Sequence, residues 1–151
     1  MKTYQLYING EYVNAKSGAT IDVIDPATTD VIARTPDANK DDVDAAVKAA
    51  RAAFDEGPWK DATAQDRGRV LFKLAQIVRE RADDLAEIET RNSGKPIVES
   101  EFDMQDVATC FEYYGGLATK IHGDVLPVPD NAISLALREP IGVAGQIVPW
   151  N

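Results

Sequence analysis

Three places in this chain carry side chains whose type and spacing could do chemistry: the run Pro149-Trp150-Asn151, the acidic pair Asp103 and Asp106, and the lone cysteine, Cys110. The first follows Ile141 to Val148, an almost uninterrupted apolar run of strand length that Pro149 breaks. Such a run reads as a strand covered on both faces, the kind found in parallel sheets. In open α/β sheets ligands lie beyond the carboxyl ends of the strands, so Pro149, Trp150 and Asn151 would emerge where a site is built. An asparagine in that position can also simply shape a turn or cap the next helix.

Asp103 and Asp106 stand three residues apart in an apolar-periodic stretch, so their carboxylates share one helical face about one turn from each other. With Phe102, Phe111, Tyr113 and Tyr114 nearby, paired carboxylates suit an ammonium or trimethylammonium group, through charge attraction and cation–π contact. The plainer reading is a solvated acidic face. Cys110 falls among Val107, Phe111 and Tyr114 at helical spacing, where a cysteine packs as a small hydrophobe, and nothing local would lower its pKa. With one cysteine and one histidine, His122, the chain can form neither an intrachain disulfide nor a thiolate or histidine metal cluster, and no metal site is expected.

Composition narrows the partners. The chain has 151 residues, 44% hydrophobic and 27% charged, which suits one folded core. Its 25 acidic and 16 basic residues give a formal charge of -9, which repels phosphate backbones and anionic headgroups, so neither nucleic acid nor membrane is an expected partner. The N-terminus opens no long apolar stretch and no window approaches a membrane span, which makes the cytoplasm the default location.

The elements that would position these groups are marked by local signals. Asn9-Gly10 between Tyr4–Ile8 and Glu11–Val13 predicts a hairpin closed by a type I′ turn. A second hairpin-like pair, Ile21–Asp25 and Val31–Thr35, is joined by the turn-forming run Pro26 to Asp30. Asn39 offers an N-cap to a helix with Asp41 and Asp42 in its first turn and an apolar stripe of Val43, Ala46, Val47, Ala50 and Phe54, ended by Gly57-Pro58. Thr63 with Asp66 looks like a variant capping box ahead of Val70, Leu71, Leu74, Ile77 and Val78. Leu85 and Ile88 extend that pattern, in the same helix or a separate one, and Gly94 closes it. A third helical region runs from Pro96 to about Lys120, with Gly115-Gly116 as a close contact or weak point. Beyond Gly123 the pattern turns to strand, and Ile133, Leu135 and Leu137 alternate with Ser134, Ala136 and Arg138 as in a half-buried strand. No Gly-x-Gly-x-x-Gly phosphate loop is visible, because Gly142 and Gly145 lie inside a strand pattern.

The ordered blocks Ile8-Asn9-Gly10-Glu11, Asp25-Pro26-Ala27-Thr28, Asp42 to Phe54, Gly94-Lys95-Pro96, Glu112-Tyr113-Tyr114 and the closing Gly145-x-Ile147-x-Pro149-Trp150-Asn151 together resemble the aldehyde dehydrogenase superfamily, over nearly the whole chain. The sequence departs from the family at Asn92, where an acidic residue is frequent, so a cation site there is not implied. The resemblance implies an α/β fold: helices with peripheral β-hairpins, an oligomerisation β-arm, and the first strand of a Rossmann-like parallel sheet. It further implies that residues 1–121 begin an NAD(P)-binding domain, that 122–140 form the arm used in homo-oligomer assembly, and that 141–151 return to the cofactor domain.

The same resemblance implies a role for each site residue. The Asn151 amide would donate to the oxyanion of a thiohemiacetal, formed when a cysteine thiolate attacks an aldehyde before hydride passes to NAD or NADP; a neutral donor stabilises charge that develops only in the transition state. Ile147, Val148, Pro149 and Trp150 would pass along the nicotinamide side of the cofactor. The stretch around Asp103 and Asp106 looks like the aminoaldehyde and betaine-aldehyde branch, in which acidic residues line the substrate entrance. The family's reactive cysteine and general-base glutamate lie downstream of these motifs, so the 151-residue chain alone is expected to be inert. The alternative reading is a truncated pseudo-enzyme that serves as an oligomerisation or interaction module through its 133–138 strand.

Overall fold

Positive φ angles at Asn9 (54°) and Gly10 (83°) close the first hairpin, a backbone that glycine and asparagine adopt at least cost. In the computed structural model, which describes residues 1–129 and 131–149, the hairpin pairs β2 (Leu6–Ile8) with β3 (Glu11–Val13) and sets Tyr7 opposite Tyr12. The two rings sit 5.1 Å apart on an exposed face. The second predicted pair is also present, as β4 (Thr20–Ile24) antiparallel to β5 (Val31–Pro36) with a bulge at Val23/Ile24. The Asp25 carboxylate accepts from Ala27 N at 2.9 Å, a local turn bond that holds the connection between them. A third strand, β1 (Lys2–Thr3), adds to β5 in parallel, pairing Lys2 with Ala33 and Thr3 with Arg34. Two residues are too short to carry a sequence pattern.

Local capping sets the helices. In α1 (Lys40–Glu56), the Asn39 side chain accepts from Asp41 N and Asp42 N while the Asp42 carboxylate accepts from Asn39 N at 3.0 Å, so orphan amides at this end are satisfied reciprocally. Asp42 also accepts from Lys16 N at 3.0 Å, which ties the chain after β3 to the start of α1. Thr63 caps α2 (Ala64–Glu80) by accepting from Asp66 N at 3.2 Å. After α2 the chain breaks only at Arg81 before α3 (Ala82–Ser93), which ends in the left-handed Gly94 at φ 79°. A Cβ on Gly94 would lie 2.9 Å from Pro26 Cγ, so the β4–β5 turn rests on the end of α3. Then α4 (Ile97–Leu117) continues into a short 3-10 turn, Ala118–Lys120.

The packing core is made of small residues. Ala75, Ala86 and Ala108 are fully buried, and Gly68 on α2 faces Gly115 on α4. Ser100 is also fully buried and shares a hydrogen bond with Thr90 at 2.9 Å, which joins α3 to α4 with no polar atom left unpaired. Small side chains allow the helix backbones to approach closely. By contrast, the stripe expected to bury α1 is open: Val43 and Val47 are 55% and 50% exposed. Among the described residues no helix is long and apolar enough to cross a membrane.

Two expectations for the C-terminal third are corrected. The strand over 133–138 exists as β7 (Ser134–Ala136), antiparallel to β6 (Asp124–Leu126), but its faces are reversed. Ser134 and Ala136 are half-buried while Ile133, Leu135 and Leu137 point outward, because the described residues form no layer over the apolar side. The run Ile141 to Val148 is not a strand here. It has no regular secondary structure and no ladder partners, and Ile147 and Val148 are almost wholly exposed; an apolar run becomes a buried strand only where another strand lies alongside it, and no described segment does.

Candidate functional site

Of the residues assigned to chemistry, Trp150 and Asn151 lie outside the described residues, as does Asp130. Ile147, Val148 and Pro149 are exposed on the irregular segment that leads to them. That segment passes α1 at Gly142, whose φ of 121° suits glycine and whose missing Cβ would sit 3.0 Å from an Arg51 guanidinium nitrogen. Arg51 is itself held by a bidentate pair with Asp55 and lies over the Phe54 ring, so the chain crosses a side chain with a fixed orientation.

The acidic pair is on α4, as the spacing predicts, but its two members have different surroundings. Asp103 accepts a hydrogen bond from Lys95 Nζ, and the same ammonium donates to Glu89 at 2.9 Å. Lys95 follows Gly94 in the loop between α3 and α4, so this triad fastens both helices to that loop. The Asp103 and Glu89 carboxylates hold the Lys95 ammonium above the usual lysine range. Asp106, one turn further along, is exposed, and so are Phe102 and Tyr113. A second ion pair, Arg79 with Glu112, joins α2 to α4 in a bidentate arrangement and holds the Glu112 carboxyl below its usual range. Neither contact was visible in the sequence: Lys95 lies in the loop while Asp103 lies almost two turns inside α4, and Arg79 and Glu112 are separated by an entire helix.

Cys110 is exposed rather than packed, which corrects the expectation drawn from its apolar neighbours. The spacing did place it on α4, but on a side that the described residues leave uncovered. Among the described residues no group of three or more His, Cys, Asp or Glu is arranged to hold a metal ion.

Hollows open on the surface, two of them beside α3. One, of about 490 Å³, lies between the β1-β5-β4 sheet and α3 and is lined by Val23, Ile32 and Ile88 together with Lys2 and Arg91. The other is a shallow groove between the start of α3 and α4, beside Phe102. Neither is lined by Asp103, Asp106 or residues 147–149.

Comparison with known proteins gives a consistent result. A family model described as the aldehyde dehydrogenase family matches residues 12–151. The chain is 47% identical to aldehyde dehydrogenase family 2 member B4, mitochondrial, of Arabidopsis thaliana, over 97% of this chain and 28% of that protein. It superimposes on a variant of the aldehyde dehydrogenase from Bacillus cereus with a TM-score of 0.94 and 40% identity, covering 98% of this chain and 30% of the other. A betaine aldehyde dehydrogenase point mutant from Staphylococcus aureus, solved in complex with NAD+, gives a TM-score of 0.81 at 36% identity, covering 84% and 26%. The chain thus spans less than a third of the length of these relatives.

Proposed function

Because the chain belongs to the aldehyde dehydrogenase family, we propose that it supplies the N-terminal part of an NAD(P)-dependent enzyme that oxidises an aldehyde to a carboxylic acid. The observation that carries this reading is the family match over residues 12–151, a range that takes in Gly145, Ile147, Pro149, Trp150 and Asn151. Residues 1–121 then begin the cofactor domain, 122–140 form the assembly arm, and 141–151 return to the cofactor domain.

In this reading the Asn151 amide donates to the oxygen of the aldehyde carbon as that oxygen becomes negative under thiolate attack. The amide carries no charge beforehand, so it favours the transition state over the bound aldehyde. Ile147, Val148 and Pro149 offer an exposed apolar strip, which fits the face of a flat nicotinamide ring. NAD or NADP, when bound, accepts the hydride. The thiolate and the general base come from outside these 151 residues, so the segment alone turns over no aldehyde.

For the substrate, the exposed Asp106 beside Phe102 supports a cationic aldehyde, an aminoaldehyde or betaine aldehyde. The outward apolar side of β7 supports homo-oligomer assembly, and it is also the feature that favours the second reading, an interaction module with no turnover of its own.

The deciding experiment is Asn151→Ala in a full-length protein carrying this segment. Loss of one oxyanion donor is expected to lower kcat by about 10²–10³ with a much smaller change in KM. Unchanged kcat would sink the assignment of the amide, and a full-length protein that reduces neither NAD nor NADP with any aldehyde would sink the enzyme.

A further inference from the structure

Where the segment carrying Asn151 passes α1, one arginine is built to meet it. Arg51 donates to the Asp55 carboxylate from Nε at 2.8 Å and from Nη2 at 2.5 Å, and its guanidinium carbon lies 4.5 Å from the centre of the Phe54 ring. Nη1 is the nitrogen this clamp leaves over, and it is the atom nearest the absent Cβ of Gly142, at 3.0 Å. Gly142 also has a φ of 121°, which L side chains rarely adopt, so backbone shape and close approach each call for glycine.

The residues beyond Gly142 have no comparable hold. Residues 143–149 form no ladder with any described residue, and Ile147 and Val148 are almost wholly exposed. Asn151 follows Gly142 by nine residues. Drawn out as a strand, such a length reaches about 30 Å with no slack, so displacing its start displaces its end.

We propose that Arg51 is a positioning residue for the oxyanion donor: clamped by Asp55 and Phe54, it seats the backbone at Gly142 with the N–H groups of Nη1 and so sets where the Asn151 amide is delivered. The proposal rests on the reading of Asn151 as that donor. Arg51 itself meets neither aldehyde nor cofactor in this arrangement. Its influence passes through the main chain.

The test is a double-mutant cycle in the full-length enzyme. Arg51→Met removes the guanidinium and keeps an apolar stem beside Phe54. It is expected to lower kcat about ten-fold with less than a two-fold change in KM, part of the roughly hundred-fold cost of misplacing a group by about 1 Å. In the Asn151→Ala background the same substitution should lower kcat by less than about two-fold, because the donor it positions is already gone. A merely structural role would lower kcat alike in both backgrounds.

Should Arg51→Met not fold, Asp55→Asn loosens the clamp and keeps the guanidinium. A smaller fall of about three-fold is then expected, again only where Asn151 is present. For either variant, an unchanged kcat, or an equal fall in both backgrounds, overturns the role of Arg51 and leaves the donor reading standing. If Asn151→Ala alone leaves kcat unchanged, the donor reading fails, and the positioning role with it.

Discussion

Gly68 on α2 and Gly115 on α4 meet backbone to backbone: a Cβ on Gly68 would lie 2.7 Å from the Gly115 carbonyl oxygen, and a Cβ on Gly115 would lie 3.2 Å from that of Gly68. The two positions are not equivalent. At Gly68 the obstructing atom is backbone, which cannot rotate away, whereas at Gly115 the other close neighbours are the side chains of Leu71 and Phe72.

Gly68→Ala is therefore expected to push the two helices apart and destabilise the protein by about 1–3 kcal/mol, the cost of overpacking a tight contact. Both positions recover about 1 kcal/mol of helix propensity as alanine, but Gly115→Ala meets its nearest atom at 3.2 Å rather than 2.7 Å and side chains beside it, so its net effect should be smaller. Denaturant unfolding of both variants in the full-length protein checks the order. A Gly68 variant as stable as the parent would show that the seam does not constrain the helices.

Asp42 predicts a pH dependence. Hydrogen bonds from Asn39 N and Lys16 N hold its carboxyl below the ordinary aspartate value of 3.8 in the folded state. A carboxyl with a depressed folded pKa contributes stability that is present above its unfolded pKa and is lost as pH falls through the folded value. Asp66 and Glu112 shift in the same direction, under Thr63 and Arg79 respectively. Stability should then fall steeply in acid below the ordinary carboxylate range, and Asp42→Asn should both lower stability at neutral pH and flatten the acid slope. Urea midpoints measured across that range decide the matter; a slope unchanged by the substitution removes Asp42 from the account.

Leu135 tests the proposed assembly role of β7. It is 60% exposed on the outer side of β7, so Leu135→Lys removes apolar surface from the outside of the hairpin without opening a cavity. Light scattering on the full-length protein should report a smaller species than the parent. An assembly of unchanged mass would rule out this face as the interface.

How much of the fold is legible in the sequence follows from how far apart the interacting atoms lie. The hairpin at Asn9-Gly10, the caps at Asn39 and Thr63 and the glycine stop at Gly94 each depend on atoms within a few residues, and each was legible. The break at Arg81 has no proline or glycine to mark it, the β1–β5 pairing joins strands far apart in sequence, and the Lys95 triad spans a loop. Such contacts leave no local pattern. The apolar run from Ile141 to Val148 and the neighbours of Cys110 mark where burial is favourable and say nothing about what does the burying, which is why both readings failed for the described residues. For the candidate site, the spacing put Asp103 and Asp106 on one helix, but only the structure separates an engaged carboxylate from an open one.

The cap at Asn39, the box with Asp42 and the stop at Gly57 all belong to the immediate neighbourhood of α1, so that helix has all of its local signals once the chain has been synthesised to about that point. The Gly68 face of α2 is different, because its partner Gly115 is made later. At ordinary ribosomal speeds the delay is on the order of seconds. During that interval the glycine groove of α2 stands open to solvent, and only the arrival of α4 closes it.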